Sequence, residues 1–170
     1  MQSAIANSFH GAQALRPALI GGLVSGTADL IYAFVAYGFI GVHPIQILHS
    51  IASGWLGKSA YGGGVETALL GLVSHLFITC VAAGIYVLAS SRMQVLTRRP
   101  VLSGALFGAA IFLVMNYVVV PLSAAVAAGP TGVFFVLGLL VHMFLVGVPI
   151  ALIATAGRKR TTATGVHHAA

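Results

Sequence analysis

Four stretches of this chain are long and apolar enough to cross a lipid bilayer, and they constrain every other reading of it. A helical span needs about 20 predominantly apolar residues. Windows at 17–39, 66–90, 101–121 and 132–156 meet that condition. In hydrocarbon every backbone N–H and C=O must be bonded within the protein, and runs of this length achieve that as α-helices. Only 6% of the residues are charged, against about 25% in soluble domains. The expected fold is therefore all-α: an integral membrane four-helix bundle forming one domain over 1–157. A polar tail at 158–170 reads as disordered. Pro17 and Pro100 fall where a first helical turn needs no N–H. Pro121 and Gly129-Pro130 close the third run.

The net charge of +6 comes from basic residues gathered at the ends of these runs. That distribution orients helices in a membrane and implies a lipid bilayer, not a nucleic acid, as partner. Arg16, Arg92, Arg98, Arg99, Arg158, Lys159 and Arg160 fall on one side, and Lys58 on the other. The expected topology places both termini, and the tail, in the cytoplasm. Residues 1–15 carry no basic segment ahead of an apolar cleavage region, so the first run is expected to act as the insertion signal. The single cysteine, Cys80, can form no disulfide within the chain and reads as a small core residue.

The first loop on the Lys58 side is long. Over 44–56 it places Ile45, Leu48, Ile51, Ala52 and Trp55 on one helical face, and Gln46, His49, Ser50 and Ser53 largely on the other. This predicts a short interfacial helix with Trp55 and Tyr61 as anchors. His43 and His49 read as solvated surface residues. Gly62-Gly63-Gly64 ends the segment, and Glu66 suits the first turn of the second span.

The chain also reads as a duplicated two-helix hairpin. Leu70-Gly71-Leu72-Val73-Ser74-His75-Leu76-Phe77 recurs as Leu137-Gly138-Leu139-Leu140-Val141-His142-Met143-Phe144. Arg16-Pro17 with Gly21 matches Arg99-Pro100 with Gly104. Both hairpins cross in the same direction, so a pseudo-twofold axis along the membrane normal is expected. Gly21, Gly22, Ser25 and Gly26 in the first span, and Gly104 and Gly108 in the third, form small-residue stripes that let helices approach closely, and Gly71 and Gly138 are expected packing positions in the second and fourth.

Counting helical rise from the basic ends puts Asp29, His75, Asn116 and His142 in one layer, roughly 18–22 Å deep. Thr79 lies one turn from His75, and Pro149 disturbs the backbone one turn past His142. Interhelical hydrogen bonding accounts for such a layer without further function, at about 1 kcal/mol or less per bond. Asp29 argues for more, because a lone carboxylate at this depth is costly. Paired with a histidine it can take up or release a proton. A bis-histidine b-type haem on His75 and His142 is a further reading, with Gly71 and Gly138 each a turn away to admit a flat macrocycle. A divalent metal on His75, His142 and Asp29 is chemically possible. No phosphate loop, Ser/His/Asp set or Cys/His zinc pattern is present, so no enzyme activity is expected.

The arrangement resembles the YagU-like group of small four-span bacterial inner-membrane proteins. The residues that carry the likeness are Gly21-Gly22-Leu23-Val24-Ser25-Gly26, Ser74-His75-Leu76-Phe77, Gly104-Ala105-Leu106-Phe107-Gly108 with Pro121-Leu122, and Val141-His142-Met143. It covers most of residues 16–157. It implies an inner-membrane location and four helices, and brings no catalytic residues. The expected role is a non-enzymatic, proton-linked or small-solute transport or binding component. The rival is an accessory or assembly subunit of a larger membrane complex, with self-association or a partner subunit.

Overall fold

Leu, Val, Ile, Ala and Phe runs with almost no internal charge coil into long helices, and the glycines and prolines between them set the turns. A computed structural model describes residues 2–126 and 129–167, with side chains described for 14–126 and 129–158. Helix α1 is Gln2–Gly38, α2 is Pro44–Leu56, α3 is Gly64–Arg92 and α4 is the short Val95–Arg98. Helix α5 is Pro100–Leu122, and α6 covers Gly132–Arg158 and continues to His167. Four segments are long and apolar enough to cross a membrane: Ala14–Gly38, Gly64–Arg92, Pro100–Leu122 and Gly132–Arg158. The protein is a multi-pass all-α membrane protein. Helix parity places Arg16, the α3–α5 connection and Arg158 at one end, called here the basic end, and α2 at the other.

Two boundaries differ from the sequence expectation. Helix α1 starts at Gln2, so Pro17 lies inside it and not at its first turn. The preceding residues include Ala-rich helix formers, and the pyrrolidine ring fits because Gly157 of α6 leaves the space beside it. The tail, expected to be disordered, continues α6 as helix to His167. It contains no proline, and an isolated glycine costs a helix only about 1 kcal/mol.

The bundle is held together by helix approach at small residues. Helix α1 packs on α3 and α6, and α5 packs on α6. A methyl group at Gly22 would collide with the backbone and thiol of Cys80, and one at Gly26 with Thr79. Likewise Gly104 meets Gly147 and Val148, and Gly108 meets the backbone of His142 and Met143. The stripes read from the sequence are thus the contact surfaces of both hairpins. Gly64 and Gly132, opening the two even-numbered spans, both have positive φ (58° and 56°), a conformation that favours glycine. The contacts between hairpins are not symmetric. Helices α1 and α6 are in close contact, whereas α3 and α5 barely touch along most of their length.

Toward the basic end, Ala18, Ala83, Tyr86, Val146, Ile150 and Ala154 form a buried core. The Ser25 hydroxyl donates to the Val146 carbonyl at 3.1 Å and ties α1 to α6. At the opposite end α2 lies against α3, its Leu48 backbone seated on Gly71. The indole N–H of Trp55 reaches down to the Ser74 hydroxyl (3.0 Å), while the ring stays exposed. Ser74 is ten residues into α3, about 15 Å from its start. Helix α2 has the boundaries expected of the interfacial helix, and its C-terminal end enters the bundle's upper half.

The glycine contacts predict a position-specific penalty. Gly108→Ala should lower stability by about 1–3 kcal/mol, because the added methyl has backbone on the other side. Gly62 has open space around it, so Gly62→Ala should stay within about 0.5 kcal/mol of wild type. Thermal unfolding of both variants in detergent would check this. Equal effects would contradict glycine-set packing.

Candidate functional site

Asp29 sits nine residues before the end of α1, and its carboxylate lies between the two histidines of the repeated segment. Its Oδ2 is 3.7 Å from His75 Nε2, and its Oδ1 is 3.7 Å from His142 Nδ1. Each carboxylate oxygen therefore faces one ring. This distance is within ion-pair range and longer than a direct hydrogen bond, so a small ring shift or one water closes it. The side chains retain 15–21% exposure, enough to meet a cavity and too little to be bathed in solvent.

Both rings are fixed by backbone carbonyls. His75 Nε2 is 3.0 Å from the Gly26 carbonyl of α1. His142 Nδ1 is 2.9 Å from the Gly138 carbonyl one turn back. A carbonyl only accepts, so these two nitrogens carry the hydrogens. In a neutral ring the remaining nitrogen, Nδ1 of His75 or Nε2 of His142, is then the acceptor. The rings are held with N–H groups beside the carboxylate whether or not Asp29 is ionised. His142 also stands edge-on to Phe112, with centroids 5.1 Å apart.

These groups line a cavity of about 220 Å³ that also includes Tyr32, Tyr37 and Asn116. It extends from the Asp29 layer toward the end that carries α2, where Ile47, Ile51 and Pro130 border it. Tyr37 stacks on Phe134 there, with centroids 4.9 Å apart. The Tyr32 hydroxyl is buried without a hydrogen-bond partner among the described residues. Buried hydroxyls in native proteins are nearly always bonded to protein or water, so this cavity is a place for water or a polar solute. On the basic-end side of the site lies the packed core around Val146 and Ile150.

The structure brings Asp29, His75, His142 and Asn116 to one cavity wall. Asn116 lines the cavity but donates to its own helix, to Phe112 O at 2.8 Å. Thr79 is turned toward Gly26 and donates to Leu76 O at 3.0 Å, so it belongs to helix packing and not to the cavity wall. His49 corrects the sequence reading. It is buried, and its Nε2 donates to Gly64 O at 2.8 Å, because α2 turns its polar face toward the start of α3. Tyr32 and Tyr37 escaped the sequence reading. Tyr32 is three residues after Asp29, and that spacing shares a helix face.

Asn116 and His142 share a backbone feature. Each lies in a π-helical turn, Met115–Val119 and His142–Gly147, and each turn ends two residues before a proline, Pro121 or Pro149. A proline ring displaces the carbonyl four residues earlier, and a widened turn relieves that clash. Such π turns recur at functional sites. The cavity is below the roughly 300–1,000 Å³ of pockets for larger organic ligands. Gly71 and Gly138, expected to admit a macrocycle, are filled by the Leu48 backbone and the Phe112 ring. The residues present therefore do not fit the bis-histidine haem arrangement. Among the described residues no group of three or more His, Cys, Asp or Glu is disposed to hold a metal ion.

The carbonyl partners predict the neutral tautomers: Nε2–H for His75 and Nδ1–H for His142. Solid-state NMR of the ¹⁵N-histidine-labelled protein would read both. A neutral His142 protonated at Nε2 alone would contradict this geometry. In comparisons with protein-family models, curated proteins and solved structures, nothing matches this chain.

Proposed function

We propose that this is a non-enzymatic bacterial inner-membrane protein whose Asp29–His75–His142 site binds and releases a proton, coupled to water or a small polar solute in the adjoining cavity. The supporting observation is the carboxylate held between two carbonyl-anchored imidazoles, one from each half of the sequence repeat. The resemblance to the YagU-like proteins is consistent with this location.

The chemistry follows from the arrangement. A proton accepted at the second nitrogen of either ring makes an imidazolium beside the Asp29 carboxylate, and the pair is then neutral overall. An isolated carboxylate at this depth would be costly. A second proton would place two imidazolium ions beside one carboxylate and is opposed by their repulsion. The site is thus built for exchange of one proton. The cavity opens the site toward the α2 end.

Proteoliposomes containing a pH-sensitive dye, with an imposed potassium gradient, would test this. Wild-type protein should give proton flux above empty vesicles. Asp29→Asn should abolish the flux while leaving insertion and helix content unchanged, since both rings keep their carbonyl partners. His75→Phe and His142→Phe should each reduce it at least tenfold. Flux in Asp29→Asn equal to wild type would defeat the reading and favour the accessory-subunit role.

The orientation belongs to the same proposal. Seven basic residues at one end against Lys58 at the other favour cytoplasmic N- and C-termini. Reporter fusions at positions 60 and 126 should then read as external, and those at 95 and 165 as cytoplasmic. A cytoplasmic signal at 60 or 126 would reverse the assignment.

A further inference from the structure

A second cavity lies in the gap between α3 and α5 at the basic end. Its volume is about 500 Å³. Ala89 of α3, Leu96, and Leu102, Leu106 and Phe107 of α5 form its walls, and Arg99 lines it as well. Leu102 and Leu106 are more than half exposed, and in a membrane-spanning chain that exposure is to lipid. The polar groups on its floor are already bonded to one another. Tyr86 Oη is 2.9 Å from Ser103 Oγ, and both hydroxyls bond the Leu96 carbonyl, at 3.0 and 2.9 Å. The cleft therefore offers an occupant apolar walls and one guanidinium.

Charge identifies the occupant. The chain has two acidic side chains, Asp29 and Glu66. Asp29 lies in the interior and Glu66 at the start of α3, at the end that carries α2. Neither acidic side chain stands at the basic end beside Arg92, Arg98 and Arg99. Arg98 donates to the uncharged Gln94 side chain (3.3 Å). From Arg99 to Leu106 the cleft runs about 10 Å along α5, the direction of an acyl chain below its headgroup. A comparable cleft of about 480 Å³ near the α2 end, lined by Trp55, Ser74 and Met115 among others, has no basic residue in its wall.

We propose that the α3–α5 cleft binds one anionic phospholipid, with an acyl chain between the helices and its phosphate on Arg99. The lipid fills the gap that the two hairpins leave open and sets a negative charge beside Arg99. Basic residues at an anionic membrane surface contribute roughly 1 kcal/mol each, or about fivefold in occupancy.

Native mass spectrometry of the full-length protein in mild detergent would test this, using equimolar phosphatidylglycerol and phosphatidylcholine with identical chains. Wild type should retain one phosphatidylglycerol in preference. Arg99→Gln should reduce that preference about fivefold, and Arg99→Lys should preserve it. Arg16→Gln, a change at the same membrane end outside the cleft wall, should leave it intact. Leu102→Trp, which fills the cleft, should lower retention of both lipids and reads the same site if Arg99→Gln does not fold. Equal retention of the two lipids by wild type would overturn the proposal. So would an effect of Arg16→Gln as large as that of Arg99→Gln, or full retention in Leu102→Trp.

Discussion

Backbone-to-backbone approach at glycine sets the geometry on which the rest of this molecule depends. Between apolar helices in lipid there is little hydrophobic gain from association, so close van der Waals contact and interhelical hydrogen bonds must supply the cohesion. Gly22 and Gly26 bring α1 onto α3, and Gly104 and Gly108 bring α5 onto α6. The Gly26 carbonyl, exposed by that approach, is the acceptor for His75. Gly138 plays two parts, accepting from the His142 ring and leaving room for Phe112. The same residues that permit packing thus fix the imidazoles, and the imidazoles fix where a carboxylate on α1 can be tolerated.

Within the described spans the π-helical turns fall where polar groups are. The two π turns carry Asn116 and His142, and both precede prolines. A regular helix through Pro149 would clash with the carbonyl of Leu145, so the extra width of the turn falls beside the cavity. Helix α2 completes this half of the protein. Its Leu48 backbone rests on Gly71, and Ile47 and Ile51 border the cavity. The buried His49 holds the start of α3 against it through Gly64.

What the sequence made legible was whatever hydropathy, punctuation and helical rise determine. The four spans and the 44–56 helix follow from one-dimensional spacing, and the structure has them; Asp29, His75, Asn116 and His142 line one cavity. What it left hidden depends on how each helix is rotated and which neighbour it meets. The polar face of α2 carries His49 and reads as solvated, yet it turns toward α3. Gly71 and Gly138 read as packing positions, but the sequence does not show that Leu48 of α2 and the Phe112 ring are what pack there. Thr79 shares a helix with His75 and points into packing. The internal repeat suggests equal contacts between hairpins, but the α3–α5 side stays open while α1 and α6 close. A small-residue stripe shows that a helix will be approached and not which partner will approach it.

The off-centre position of Asp29 has an electrical consequence. It lies about 14 Å from the α2 end of a helix whose 25-residue span is about 37 Å long. The cavity above it holds the polar side chains of Tyr32, Tyr37 and Asn116 among apolar ones, and below it lies the packed core around Val146 and Ile150. A transmembrane potential falls mostly across packed apolar regions, where polarisable material is scarce. A charge arriving at Asp29 from the α2 end would then cross less than half of the field, where the full drop is worth about 2.3 kcal/mol per 100 mV. Occupancy from that side should respond weakly to voltage, and the steep part of the field lies between the site and the basic end.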